Sequence, residues 1–423
     1  MAKIIIGALP IPGELSPMLR LARGLAGRGH RITVVTGNRF RVDVEDAGLA
    51  FVPVTGPADY DISLRTDSPE RAKLTPGPEM LNYDSVHNFV NPIPDLHAVL
   101  QRLLAEDPDQ YLISNAQWLG ALPTALGVPG LRPRRWVAVS AIPLFLSSDD
   151  TTFFGPVPAG PGEDGKAANR AANAQFAAAM QPTQDRLAEV LRSLGATQEC
   201  PVFTDAISTV PDVTAALTVP GFEFERSDAP DSVHLVGILP ARAADGWQPP
   251  KWWAELDGSR PVVAVTQGTI ANQDLSELIE AALTGLADLD VTVVAALGRE
   301  TGALSIPVPA NARAAEFIPF DKLLPKVSIL ITNGGMGGTQ QAIAAGVPVI
   351  VAGATEDKPG VAARAAYHGL GIDLRTARPA PEAVATAVES VLKDVEMHDN
   401  VRRLARVYAE HDPLTEIERL TLA

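Results

Sequence analysis

The chain has 423 residues, 46% of them hydrophobic and 20% charged, and a formal net charge of −15 at pH 7. That length exceeds one simple core and favours two domains of roughly 200 residues, while the ordinary composition excludes wholesale disorder. The acidic balance argues against nucleic acid or an anionic lipid surface as a main partner, since both need clustered Lys and Arg. The single cysteine, Cys200, can form no internal disulfide and fits a reducing compartment. The apolar start is too short for a signal peptide, and no apolar run is long enough to span a bilayer. No membrane insertion and a cytoplasmic location are therefore expected.

The chain begins with a short apolar, β-branched run, Lys3 to Leu9, which reads as a buried parallel strand. PIPGELSP follows as a loop over residues 10 to 17, with Ser16 as N-cap and Pro17 as the first residue of the next helix. RITVVT (31–36) is the second strand, which completes a β-loop-α-β unit. FVPV (51–54), YLISNAQW and RWVAVSAI (135–142) continue the alternation, and then residues 143–200 loosen into a long loop and an alanine-rich helical stretch. Proline, glycine and charge concentrate near 219–245, the expected linker. PVVAVTQGT restarts the rhythm, followed by VTVVAALG, EFIPF, SILITNGG and VPVIVAG. The expected divisions are a domain over 1–218, a linker over 219–245, a second domain over 246–397 and a final helix over 398–423 returning to the first domain.

Chemistry concentrates in residues 332 to 374. Gly334-Gly335-Met336-Gly337-Gly338-Thr339 lies at a strand-to-helix turn, where glycines let backbone approach a ligand and the helix start favours an anion such as a pyrophosphate. Helix-sheet packing also wants small residues, so the turn alone leaves both readings open. One βα unit later, GATEDKP puts Glu356, Asp357 and Lys358 at a strand tip, where ligands of open α/β sheets bind.

With Gly346-Val347-Pro348 and Ala362-Ala363-Arg364 at matching spacing, this segment resembles the donor signature of family 1 natural-product and macrolide-type inverting glycosyltransferases. That resemblance spans essentially the whole chain. It implies an α/β protein of the GT-B class, with two facing Rossmann-like domains and a cleft between them. It further implies that Asn333, Gly335, Gly337, Gly338 and Thr339 meet the donor diphosphate, that Gln341 takes the ribose position, and that Asp357 and Lys358 face the sugar. Gln267, Gly268 and Thr269 would lie near the phosphates. Phe317 would stack on the base, against the alternative of core packing, and Ile318 would read the base edge through its backbone.

The departures are informative. Asn333 stands where the family has a histidine, and Lys358 where it has a glutamine; Lys358 could pair with Glu356 or reach the diphosphate. Gly13-Glu14-Leu15-Ser16-Pro17 resembles the family's Gly-His-x-x-Pro, so Glu14 takes the place of the general base, and Asn115 that of the aspartate which orients the histidine. A carboxylate is a weak base near pH 7 unless it is desolvated, and a helix start favours its charged form. The plainer role for Glu14 is to cap the helix entry or pair with Arg20. His87 and Asn115 are candidate acceptor contacts. His97, the loop pair Asp149 and Asp150, and Trp252-Trp253 read as structural or solvated. No His/Cys/Asp spacing suggests a metal, and no cofactor is expected.

The resulting expectation is an inverting glycosyltransferase, monomer or homodimer, moving a sugar from a UDP- or TDP-sugar to a small hydroxylated, largely apolar acceptor. The competing expectation is a catalytically impaired nucleotide-sugar-binding homologue, or an auxiliary partner of another glycosyltransferase. A dinucleotide oxidoreductase is rejected, because PIPGELSP lacks the G-x-G-x-x-G fingerprint.

Overall fold

The structure, a computed structural model, describes every residue except 67, 159–161, 241–245 and 269–271. Thr269 and part of the expected linker therefore lie outside the described residues. Two compact units emerge: Met1–Leu217 with Glu225–Leu239 and Asp412–Ala423, and Thr218–Phe224 with Pro240–His411.

The first unit is built on seven parallel strands: β1 (Lys3–Gly7), β2 (Arg31–Thr36), β3 (Ala50–Pro53), β4 (Tyr111–Asn115), β5 (Trp136–Ser140), β6 (Val213–Ala216) and β7 (Val233–Leu235). Their spatial order is β3-β2-β1-β4-β5-β6-β7. Strand residues alternate between two apolar layers, as a pleat of period two demands. Ile5, Val35 and Leu112 join one layer, and Ile4, Ile6, Val34 and Ile113 the other. Both faces are covered, which is why these strands read as continuous apolar runs.

The second unit holds six parallel strands: β8 (Val262–Thr266), β9 (Thr292–Ala296), β10 (Ala312–Ala315), β11 (Ile329–Thr332), β12 (Val349–Val351) and β13 (Gly371–Asp373). They lie in the order β10-β9-β8-β11-β12-β13. In each sheet the chain winds outward from its first strand in one direction and then reverses. The reversals fall between β1 and β4 and between β8 and β11, the switch points at which open α/β sheets open a ligand crevice beyond their carboxyl ends.

Three local expectations need correction. Helix α1 (Pro12–Gly27) starts five residues early, with Ile11 as a cap that makes no side-chain bond. Proline at the first helical position needs no N–H partner and sets the start there. Glu14 is thus in a first helical turn and not on a loop; Pro17 lies inside the helix, and Ser16 accepts a hydrogen bond from Arg20 at 3.2 Å. EFIPF is not a strand: the edge strand is Ala312–Ala315, and Pro319 ends the extended stretch before a short turn of helix. The final helix is two, Val395–Ala409 and Pro413–Leu422, because Pro413 starts a new one behind the Asp412 cap. No helix is long and apolar enough to cross a membrane among the described residues.

Candidate active site

Glu14 reaches the carboxyl end of the first sheet because α1 begins only five residues after β1. It is buried, at 8% exposure, and faces Asn115, the fully buried last residue of β4. The Asn115 Oδ1 accepts the Leu9 N–H at 2.8 Å, so its amide nitrogen must turn the other way. That nitrogen donates to the Glu14 Oε2 at 2.9 Å and to the Glu14 carbonyl at 3.2 Å. Asn115 therefore bridges β4 to the loop after β1 and holds the carboxylate. Both ends of the buried Asn115 amide are thus engaged within the protein.

Tyr60 lies within the field of Glu14. Burial pushes its phenol pKa far up, Arg65 opposes this, and the Glu14 charge adds to it. The Arg65 guanidinium stacks 3.7 Å from the Tyr60 ring centroid and donates to Asn88 Oδ1 at 3.0 Å. Tyr60 donates to the Asn88 carbonyl at 3.3 Å. His87 sits on a widened helical turn, Val86–Val90, of the kind often found at functional sites. Its ring stacks on Tyr83 at 4.0 Å, and Nδ1 donates to the Tyr83 carbonyl at 2.8 Å. His97 is buried and donates to the Gly120 carbonyl at 3.0 Å, and burial lowers its pKa. Asp149 pairs with Arg170 at 2.7 Å, and Asp150 with Lys166 at 3.7 Å, so each is held in an ion pair where a solvated loop charge was expected.

The second switch point repeats the arrangement. Asn333 follows β11, and its amide donates to the Gln267 carbonyl just after β8. The Gln267 side chain turns inward. Its Oε1 accepts from the Leu278 and Ile279 N–H groups, and its Nε2 donates to the Asp274 carbonyl, so it shapes the loop and does not point at a ligand. Gly268 continues this loop at φ 74°.

Helix α2 (Met336–Ala344) begins with Gly335 as N-cap, and its first intrahelical bond runs from Thr339 N–H to the Gly335 carbonyl. The N–H groups of Met336, Gly337 and Gly338 precede that bond, the arrangement that favours an anion at a helix start. The Thr339 hydroxyl is buried without a hydrogen-bond partner among the described residues, and Gln341 donates to the Gly337 carbonyl at 3.1 Å. Phe317 is 64% exposed, the setting of a stacking face and not of a core residue, whereas Ile318 is buried.

Helix α3 (Lys358–Tyr367) follows the tip of β12, with Asp357 as its N-cap residue. Burial pushes the Asp357 carboxyl up to about 6; Lys358 opposes the shift and Glu356 adds to it. Lys358 forms an ion pair with Glu356 and lies 3.3 Å from the Thr355 Oγ1. Among the described residues no group of three or more His, Cys, Asp or Glu could hold a metal ion.

Sequence reading missed two features. One is a buried pair: Arg364 of α3 forks onto Glu223 at 2.6 and 3.0 Å, with both side chains essentially unexposed. The other is that Leu112-Ile113-Ser114-Asn115-Ala116 and Leu330-Ile331-Thr332-Asn333-Gly334 are one motif used twice, each asparagine tying its strand end to the loop of the neighbouring first strand. Aligning the two halves on these five residues would have found it.

Two doubly wound parallel sheets, each carrying polar groups at its switch point, define the GT-B class. Residues 280–421 match the family described as erythromycin biosynthesis protein CIII-like, C-terminal domain. The chain is 34% identical to UDP-glucosyltransferase B1 of Starmerella bombicola, over 98% of its own length and 96% of that relative. It is also 34% identical to 4'-demethylrebeccamycin synthase of Lentzea aerocolonigenes, over 98% and 97%. The solved calicheamicin glycosyltransferase CalG4 shares the fold, with a TM-score of 0.75 at 21% identity, covering 99% of this chain and 98% of that one. This chain belongs to the family 1 natural-product glycosyltransferases of the UDP-glycosyltransferase superfamily, and it is a glycosyltransferase.

Proposed function

We propose that the protein moves a sugar from a nucleoside diphosphate donor to a hydroxyl of a small, largely apolar acceptor, with inversion at the anomeric carbon. The observation that carries this reading is the Glu14–Asn115 pair at the first switch point, a buried carboxylate held in one orientation by an amide. Glu14 takes the acceptor proton as the acceptor oxygen attacks the anomeric carbon from the face opposite the leaving group. The bond from that carbon to the diphosphate breaks, and its electron pair leaves with the nucleotide. The N–H groups of Met336, Gly337 and Gly338 receive the growing negative charge. Asp357 accepts hydrogen bonds from sugar hydroxyls, and Phe317 offers a flat face to the base.

UDP-sugars are the first donors to try, because UDP-glucosyltransferases A1 and B1 of Starmerella bombicola match along nearly the whole chain. Thymidine diphosphate, bound in the structurally similar SpnG complex, supports testing TDP-sugars beside them. The reading needs no metal, since helix N–H groups stabilise the leaving group. The experiment is a panel of UDP- and TDP-sugars against hydroxylated aromatic and aliphatic acceptors, following nucleotide release and product mass. Turnover is expected, with Glu14→Gln lowering kcat by about a hundredfold or more and leaving donor affinity nearly intact. Donor binding without turnover across the panel would overturn the reading in favour of an accessory role.

A further inference from the structure

Lys358 is held unlike a surface lysine. Its residue exposure is 6%, and its stem lies in space left by two missing side chains. A Cβ on Gly353 would stand 2.8 Å from Lys358 Cβ and 3.0 Å from Cδ; one on Gly334 would stand 3.4 Å from Cβ. The stem therefore lies against Gly334, in the turn that opens α2, where Asn333 supplies no charge. Its ion-pair partner is not fixed in the same way. The Glu356 side chain is 44% exposed, and its backbone adopts φ 59°, a left-handed conformation unfavourable for a residue with a side chain.

The resident carboxylate gives the Lys358 ammonium an anionic partner within the protein. Of the two partners, Glu356 has the side chain that reaches solvent. An arriving anion, reinforced by the N–H groups at the start of α2, competes for the same ammonium.

We propose that Glu356 is an exchangeable occupant of an anion subsite built on Lys358, displaced when the anionic part of the donor arrives. The inference rests on the nucleotide-donor reading above. The displacing anion is either the diphosphate or a carboxylate on the sugar. No bond is made or broken in the exchange; one counter-ion replaces another. The consequence runs against intuition for a carboxylate near a donor site: removing it strengthens binding.

Calorimetric titration of UDP, UDP-glucose and UDP-glucuronate into the full chain tests this, using wild type, Glu356→Gln, Lys358→Met and the double variant. Glu356→Gln is expected to tighten binding about five- to tenfold, the size of one relieved charge competition. Lys358→Met is expected to weaken binding, and in its background the Glu356→Gln gain should vanish. An equal gain for all three ligands assigns the subsite to the diphosphate, and a gain confined to UDP-glucuronate assigns it to a sugar carboxylate. The exchange is overturned if Glu356→Gln leaves affinity unchanged or weaker, or if its gain survives without the lysine. A wild-type chain that binds none of the three, and no TDP-sugar, overturns the donor reading itself.

Discussion

Asn115 fits one way round: its Oδ1 takes the Leu9 N–H, and its amide nitrogen therefore faces Glu14. An aspartate at this position would set a second carboxylate against the first, and two carboxylates that close cannot both ionise. The glutamate and the asparagine are thus one substitution in physical terms. Asn115→Asp should move the acidic limb of the kcat–pH profile upward by about one pH unit or more, while Asn115→Ala should lower kcat without that shift. Both are read from initial rates across pH. Asp357 carries a separate pH dependence. Its carboxyl is raised from 3.8 to about 6 in the folded chain, so between those values the folded state holds a proton that the unfolded state has lost. The stability tied to that proton is fully present below pH 3.8 and is lost as pH rises through about 6. Asp357→Asn should therefore raise the melting temperature near about pH 7.5, do little near about pH 4, and raise the donor KM. A melting temperature that falls at both pH values would remove Asp357 from this role.

At the scale of elements, most strands were legible, while β6, β7, β10, β13 and the helix entries were not. Runs such as Ile4-Ile5-Ile6 and Val262-Val263 announce two-sided burial, because a parallel strand covered on both faces has no polar side to show. The start of α1 was misread because Ser16-Pro17 and Ile11-Pro12 offer competing entries, and only packing selects between them. Arg364 stood in the recognised signature without a role. Its partner Glu223 lies 141 residues earlier, in the stretch expected to be linker, and no local pattern joins the two. The pair anchors α3 from beneath: Arg364 also donates to the Gly360 carbonyl at 3.0 Å and lies 4.5 Å from the Phe224 ring centroid. Glu223→Ala leaves a buried guanidinium uncompensated and should cost about 3 to 5 kcal/mol. Replacing both partners with leucine and methionine should cost much less, since no charge is then stranded. Urea unfolding of the two variants decides the matter; equal losses would show that packing, and not charge, holds the pair.

Over the whole molecule, one construction is used twice. Each sheet reverses beside its first strand, and in each an asparagine at the end of the neighbouring strand bonds backbone in the loop after that first strand. The repeat of architecture was legible from the rhythm of strands and helices, but the shared Leu-Ile-Ser/Thr-Asn-Ala/Gly was not. Five residues are too few to stand out where buried strands draw on the same few apolar types. Their bonds separate the copies: the first asparagine holds a carboxylate, and the second holds the loop after β8. If both are latches, removing each should loosen only its own loop. Asn115→Ala should speed amide exchange at Leu9 and the first turn of α1, because the Leu9 N–H loses its acceptor. Asn333→Ala should speed exchange in 272–279, where the Gln267 side chain receives the Leu278 and Ile279 N–H groups, and leave the first unit unchanged. The two stability losses should add within about 0.5 kcal/mol, because each bond closes a network inside its own unit. Hydrogen exchange followed by mass spectrometry reads both loops in one experiment, and protection lost in both units from either single substitution would contradict independent latches.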